Sequence, residues 1–171
     1  MPLGHLYRAA EHAGSTPARV AARLAALGYR VPAPDVLNRL PGPGDTRLLS
    51  LEGNGHQPWL DPEKPVPPGH VLRAAQQSGS APAKVAARLA ALGQTVRKGA
   101  DLPDEILPDD VRLLSARLDG QHPWLVPDEP VPAAHILRAA ARTVRTPDEV
   151  AGRLVALGHA LPAAVRFGPA P

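Results

Sequence analysis

Three histidines, His5, His70 and His135, stand one every 65 residues along a chain of 171. Imidazole is the commonest metal ligand and a ready general base, so three in register invite a metal or an acid–base reading. Their spacing opposes it. Ligands 65 positions apart would have to converge from three separate parts of the chain, and no second His or carboxylate stands three or four places from the histidine in every copy. Each is read instead as a helix-start residue that hydrogen-bonds locally. His56 and His122 fall one position out of the 65-residue register and share no role. With no cysteine there is no thiolate for catalysis or metal. Gly53-Asn54-Gly55 reads as a turn, since no Lys follows it as a phosphate loop requires. The carboxylates between 101 and 110 read as a loop and a helix start. No convergent titratable set can be named, so the chain reads as non-enzymatic, with no cofactor and no metal.

The basic side chains are the other candidates. Arg8, Arg73 and Arg138 share one register, and Arg23, Arg88 and Arg153 a second. With Arg19 and Lys84 they form the candidate interaction set. As a DNA surface they would contact successive phosphates; as ordinary helix faces their stems would cover Leu and Ala neighbours. The register of Arg19 weighs against DNA, because it continues as Lys84 and then Glu149. Glu149 is placed to pair with Arg153 one turn on. Charge agrees: 19 Lys and Arg against 16 Asp and Glu give only +3, distributed as +1 over 1–65, −1 over 66–130 and +3 over 131–171. A nucleic-acid binder shows a concentrated basic patch. Trp59 and Trp124 are read as structural packing, the largest core plugs in a chain with 3% aromatics.

What positions these residues is a tandem repeat. His5-Leu6-Tyr7-Arg8-Ala9-Ala10 recurs as His70 through Ala75 and as His135 through Ala140. Val20 through Gly28 recurs as Val85 through Gly93 and Val150 through Gly158. Arg47-Leu48-Leu49-Ser50 matches Arg112 through Ser115, and Pro58-Trp59-Leu60 matches Pro123 through Leu125. Fixed-period self-similarity defines the architecture before any single motif does. Within a copy, Leu6, Ala9, Ala10 and Ala13 have helical spacing over 3–13, and Gly14 stops the helix. Thr16-Pro17 opens a second helix as N-cap and first residue; Thr146-Pro147-Asp148-Glu149 completes a capping box. Tyr29–Pro32 and Thr95–Arg97 suggest short extended wings. A third helix is predicted over 45–51 in the first copy and 108–118 in the second. Loop 32–44 is rich in Pro and Gly and is expected to be partly disordered.

Three copies of the helix pair accompany only two of the third helix and Trp. The expected organisation is a leading pair at 1–43, one unit at 44–108 and another with a tail at 109–171. The fold class is all-α: about eight helices in tandem three-helix, helix-turn-helix or winged-helix-like repeats of 65 residues, with at most short strands. No secretory signal or run of about 18 apolar residues is visible, which makes the cytoplasm the expected location and excludes a membrane partner.

These strings resemble tandem winged-helix-like modules of large actinobacterial multidomain proteins, over nearly the whole chain. The resemblance implies a regulatory adaptor beside GHKL-type ATPase or caspase-like domains in conflict or signalling systems, with no site to carry over. The loop at 41–44 and the absence of a third helix after Gly158 depart from the pattern and suggest an excerpt or a decaying array. The expected function is a protein-interaction module whose partner is another protein or a neighbouring domain of a larger chain. The alternative is a DNA-binding protein using the Thr-Pro helices for recognition.

Overall fold

A computed structural model describes residues 1–32, 37, 42, 44–96 and 102–162. Most of the loop at 32–44, Arg97 of the expected second wing and the tail after Pro162 lie outside them. Eight helices are described: α1 (Leu3–Ala13), α2 (Pro17–Ala26), α3 (Asp45–Leu49), α4 (Pro68–Ser78), α5 (Pro82–Ala91), α6 (Asp110–Leu114), α7 (Ala133–Thr143) and α8 (Pro147–Ala156). The all-α, winged-helix-like reading holds, with no named strand among the described residues.

The local signals explain the boundaries. Thr16 Oγ1 accepts from Arg19 N at 3.3 Å, and Pro17 occupies the first turn of α2. Thr146 and Glu149 cap each other at the start of α8, with Thr146 N donating to Glu149 Oε2 at 2.8 Å. Glu149 is therefore spent on the cap, and the expected Glu149–Arg153 pair does not form; Arg153 turns to Asp110 instead. α1, α4 and α7 all end on a left-handed residue whose turn returns the chain to the helix, through Ser15 N to Ala10 O, Ser80 N to Ala75 O and Arg145 N to Ala140 O.

Two expectations are corrected. The third helices are single turns, α3 and α6, shorter than 45–51 and 108–118. Ser50 and Ser115 leave the helix as extended residues and bridge to Trp59 and Trp124. Ser115 Oγ donates to Asp119 Oδ1 at 2.7 Å and Gln121 O at 2.8 Å, while Ser50 Oγ does the same to Asn54 Oδ1 and His56 O. A serine that satisfies a loop in this way cannot also continue a helix. The wings are reduced to isolated contacts: Met1 N to Arg30 O, Val66 N to Thr95 O and Val131 N to Ala160 O, with one parallel bridge at Pro65 and Thr95. Prolines at 32, 65, 67, 130 and 132 remove the amide donors a longer ladder needs.

The chain divides into two compact units, Met1–Val66 with Ala86–Val96 and Pro67–Val85 with Arg97–Pro171, so that α5 begins in the second and ends in the first. In the first unit α1 packs on α2 and α3, around Leu3, Leu6, Tyr7, Ala21, Leu49 and Leu92. In the second, α7 packs on α8, and α6 on both α4 and α8, around Leu72, Leu113, Leu114, Ile136, Val150 and Leu154. Burial of such side chains, each worth about 1.5–3 kcal/mol, holds each unit.

The third copy carries a flaw. Gly14 and Gly79 take φ of 58° and 67°, and in the same register Val144 is forced to 55° while 92% exposed. A β-branched residue in this region is strained, and its methyls gain nothing from packing. Val144→Gly is expected to stabilise the protein by about 1 kcal/mol, measured by urea unfolding; a destabilised variant would contradict the strain.

Candidate interaction surface

Two of the recurring arginines meet buried aspartates. Arg88 reaches Asp45 through Nε at 2.9 Å and through Nη2 to Oδ2. Arg153 reaches Asp110 through Nε at 2.8 Å and Nη2 at 2.6 Å. Both aspartates are buried and open a one-turn helix, and each also accepts a backbone amide just ahead of that helix, from Gly42 at 2.6 Å and Leu107 at 2.8 Å. A fork-on-carboxylate pair is the strong form of ion pair. The hydrogen bond to Asp raises the pKa of Arg88 and of Arg153 further above the usual guanidinium value. These pairs tie α3 to α5 within the first unit and α6 to α8 within the second.

Arg73 is also buried. Its guanidinium lies over the Trp124 ring, 5.1 Å from the centroid, and hydrogen-bonds Gln121 and His70. Arg8 in the same register hydrogen-bonds His56 at 3.4 Å and forms an ion pair with Glu11 at 3.6 Å beside an open cleft of about 240 Å³ bounded by His12 and Trp59. Arg138, the third member, is exposed. Of the second register Arg23 is exposed, with no ion pair or side-chain hydrogen bond among the described residues; Arg19 and Lys84 are exposed as well. Of the eight cations, Arg73 is buried, Arg88 and Arg153 are half-buried with their forks on buried aspartates, Arg8 is half-buried beside Glu11, and Arg19, Arg23, Lys84 and Arg138 are exposed.

Each tryptophan ring lies on a glycine of an earlier helix, Trp59 on Gly4 of α1 and Trp124 on Gly69 of α4, where a Cβ would overlap the ring. The third copy has Ala134 at this position, and Leu137 is exposed where Tyr7 and Leu72 are buried. Neither this glycine nor the aspartate register was singled out from sequence, although both recur at 65 residues and could have been found that way.

Of the histidines, His70 does bond locally, to Arg73 three residues on, whereas His135 departs from the local expectation: its Nε2 sits 2.8 Å from Leu113 O, 22 residues away. Burial lowers the His135 pKa from the ordinary value. No group of three His, Cys, Asp or Glu among the described residues is placed to hold a metal ion, and no described helix is long and apolar enough to cross a membrane.

Helix pairs joined by a tight turn, a short preceding helix and a vestigial wing define a winged helix-turn-helix protein. The chain belongs to the family described as wHTH-Hsp90_Na associated, which matches residues 1–29, 40–94 and 105–168. No curated protein and no solved structure matches it.

Two measurements follow. Arg153→Met leaves Asp110 charged and uncompensated and is expected to cost about 3–5 kcal/mol, whereas Arg23→Met, on an exposed site, should change stability by about 0.5 kcal/mol or less; urea unfolding of both decides it. Because the folded-state pKa of His135 is lowered, the unfolded chain takes up this proton first as pH falls. His135 therefore costs nothing at neutral pH and removes stability below about pH 6.5. Unfolding at stepped pH should show that decline, and His135→Gln should lessen it.

Proposed function

We propose that the chain is a non-catalytic protein-interaction or adaptor module. The observation that carries this is the internal use of Arg88 and Arg153 on buried aspartates. In a DNA-reading helix-turn-helix these second-helix cations would face phosphate. The register of Arg19 adds to the case, since in α8 it becomes Glu149, committed to its cap. The repeating unit in this reading is 44–108 and 109–171 after a leading pair at 1–43. The Asp45–Arg88 and Asp110–Arg153 pairs, each spanning 43 residues, support that phase. Arg73, Arg88 and Arg153 are then structural, as are Trp59 and Trp124, and Arg8, Arg19, Arg23, Lys84 and Arg138 remain as interaction residues.

The family description names an Hsp90_Na association. It supports a protein or neighbouring-domain partner and agrees with the ATPase-type neighbour that the resemblance to actinobacterial modules implies. The reading places the protein in the cytoplasm, as the regulatory part of a bacterial conflict or signalling system.

A fluorescence-anisotropy titration with duplex DNA tests it. We expect no saturable binding at low salt. Binding that is tight at low salt, weakens steeply as salt rises and is lost on changing Arg19 and Arg23 together to Glu would establish the DNA-binding alternative in its place.

A further inference from the structure

Three copies of the second helix allow a comparison inside one molecule. In α8 the apolar face, Val150, Leu154 and Leu157, is fully buried and shares a core with Val111, Leu113 and Leu114 of α6. In α5 the corresponding Leu92 is buried in the core that holds Leu49 of α3. Both helices therefore share a core with a short helix of one pattern, Asp-x-Arg-Leu-Leu, whose aspartate takes the arginine of the longer helix. On α2 the same face is less covered, although Val20 and Leu24 pack against the core of Leu3, Leu6 and Tyr7. Leu27 is 58% exposed against 4% for Leu92 and 0% for Leu157, and Val20 and Leu24 are only half-buried. Tyr29, whose counterparts Gln94 and His159 are buried, is 56% exposed. Arg23, the counterpart of Arg88 and Arg153, has no acidic partner among the described residues.

We infer that the α2 face of Val20, Arg23, Leu24 and Leu27 is a docking site for a second polypeptide carrying a short Asp-x-Arg-Leu-Leu helix. The inference rests on the protein-interaction reading and names the surface and the partner's chemistry. The partner's leucines cover the exposed apolar stripe, and its aspartate receives the Arg23 fork as Asp45 and Asp110 receive theirs. Burial gives the affinity and the charge pair sets the register. A second copy of this chain has no such helix to offer, because Asp45 and Asp110 are already buried and paired. Arg23 is then a specificity residue of that surface.

The probe is a synthetic peptide of residues 105–131, added to the isotope-labelled full chain and followed by amide chemical shifts. Saturable shifts centred on α2 are expected. Arg23→Asp should weaken binding by about tenfold or more, and a peptide with Asp110→Arg should restore it to the Arg23→Asp chain. A second arm removes dependence on the free peptide's weak helicity. The same segment replaces Met1, directly ahead of Pro2 in the 65-residue register, which raises its effective concentration. Slowed hydrogen exchange through α2, lost in Arg23→Asp, supports the site. Shifts confined to α5 or α8, an α2 that stays unprotected in the fused chain, or an Arg23→Asp variant that binds equally well would overturn it. The DNA titration bears only on the broader reading, so the two can fail separately.

Discussion

The buried carboxylate at the head of each one-turn helix is the constraint on which the described fold turns. A helix of five residues has no stability of its own, since nucleation uses up what few hydrogen bonds it makes. Asp45 and Asp110 remedy this by accepting both a backbone amide ahead of the helix and an arginine fork from a longer helix. A charge so placed cannot remain unpaired, because desolvation of a lone carboxylate costs several kcal/mol. The arginine and the short helix are therefore fixed together, and with them the depth at which Leu49 and Leu114 enter their cores.

The tryptophan supplies the second constraint, through shape. Trp59 and Trp124 follow their short helices by a loop held on one serine, and each ring reaches a helix that lies earlier in the chain only because that helix offers glycine. Close approach of this kind is intolerant of a single added carbon. In the second unit Arg73 seals the ring from above; in the first, Arg8 leans to His56 and Glu11, and a cleft stays open. The recurring motif thus gives a buried Trp124 in one unit and a half-buried Trp59 in the other.

Function follows from which cations these constraints consume. Repetition made all eight basic residues look equivalent, and a groove of phosphate contacts was the natural alternative. Three of the eight are committed to partners within the chain, Arg73 to Trp124 and Arg88 and Arg153 to buried aspartates, while the helix-turn-helix geometry persists. What is left outside is mixed: aliphatic side chains on α2 and α7 beside scattered arginines, a pattern suited to protein surfaces.

The 65-residue period, the helix pairs, their Thr-Pro starts and Gly stops, and the all-α class were legible in the sequence because each depends on interactions within a few residues. Capping and turn geometry are local chemistry, and a repeat displays them more than once. The short third helices were placed but made too long, because Ser50 and Ser115 answer to a loop and a tryptophan nine residues on. Which arginines meet a buried aspartate, that His135 serves Leu113 rather than its own turn, and that Gly4 and Gly69 seat an indole were decided only by tertiary structure. Those facts concern groups 22 to 55 residues apart, and residue type and period do not tell a solvated arginine from one that meets a buried aspartate in the folded chain.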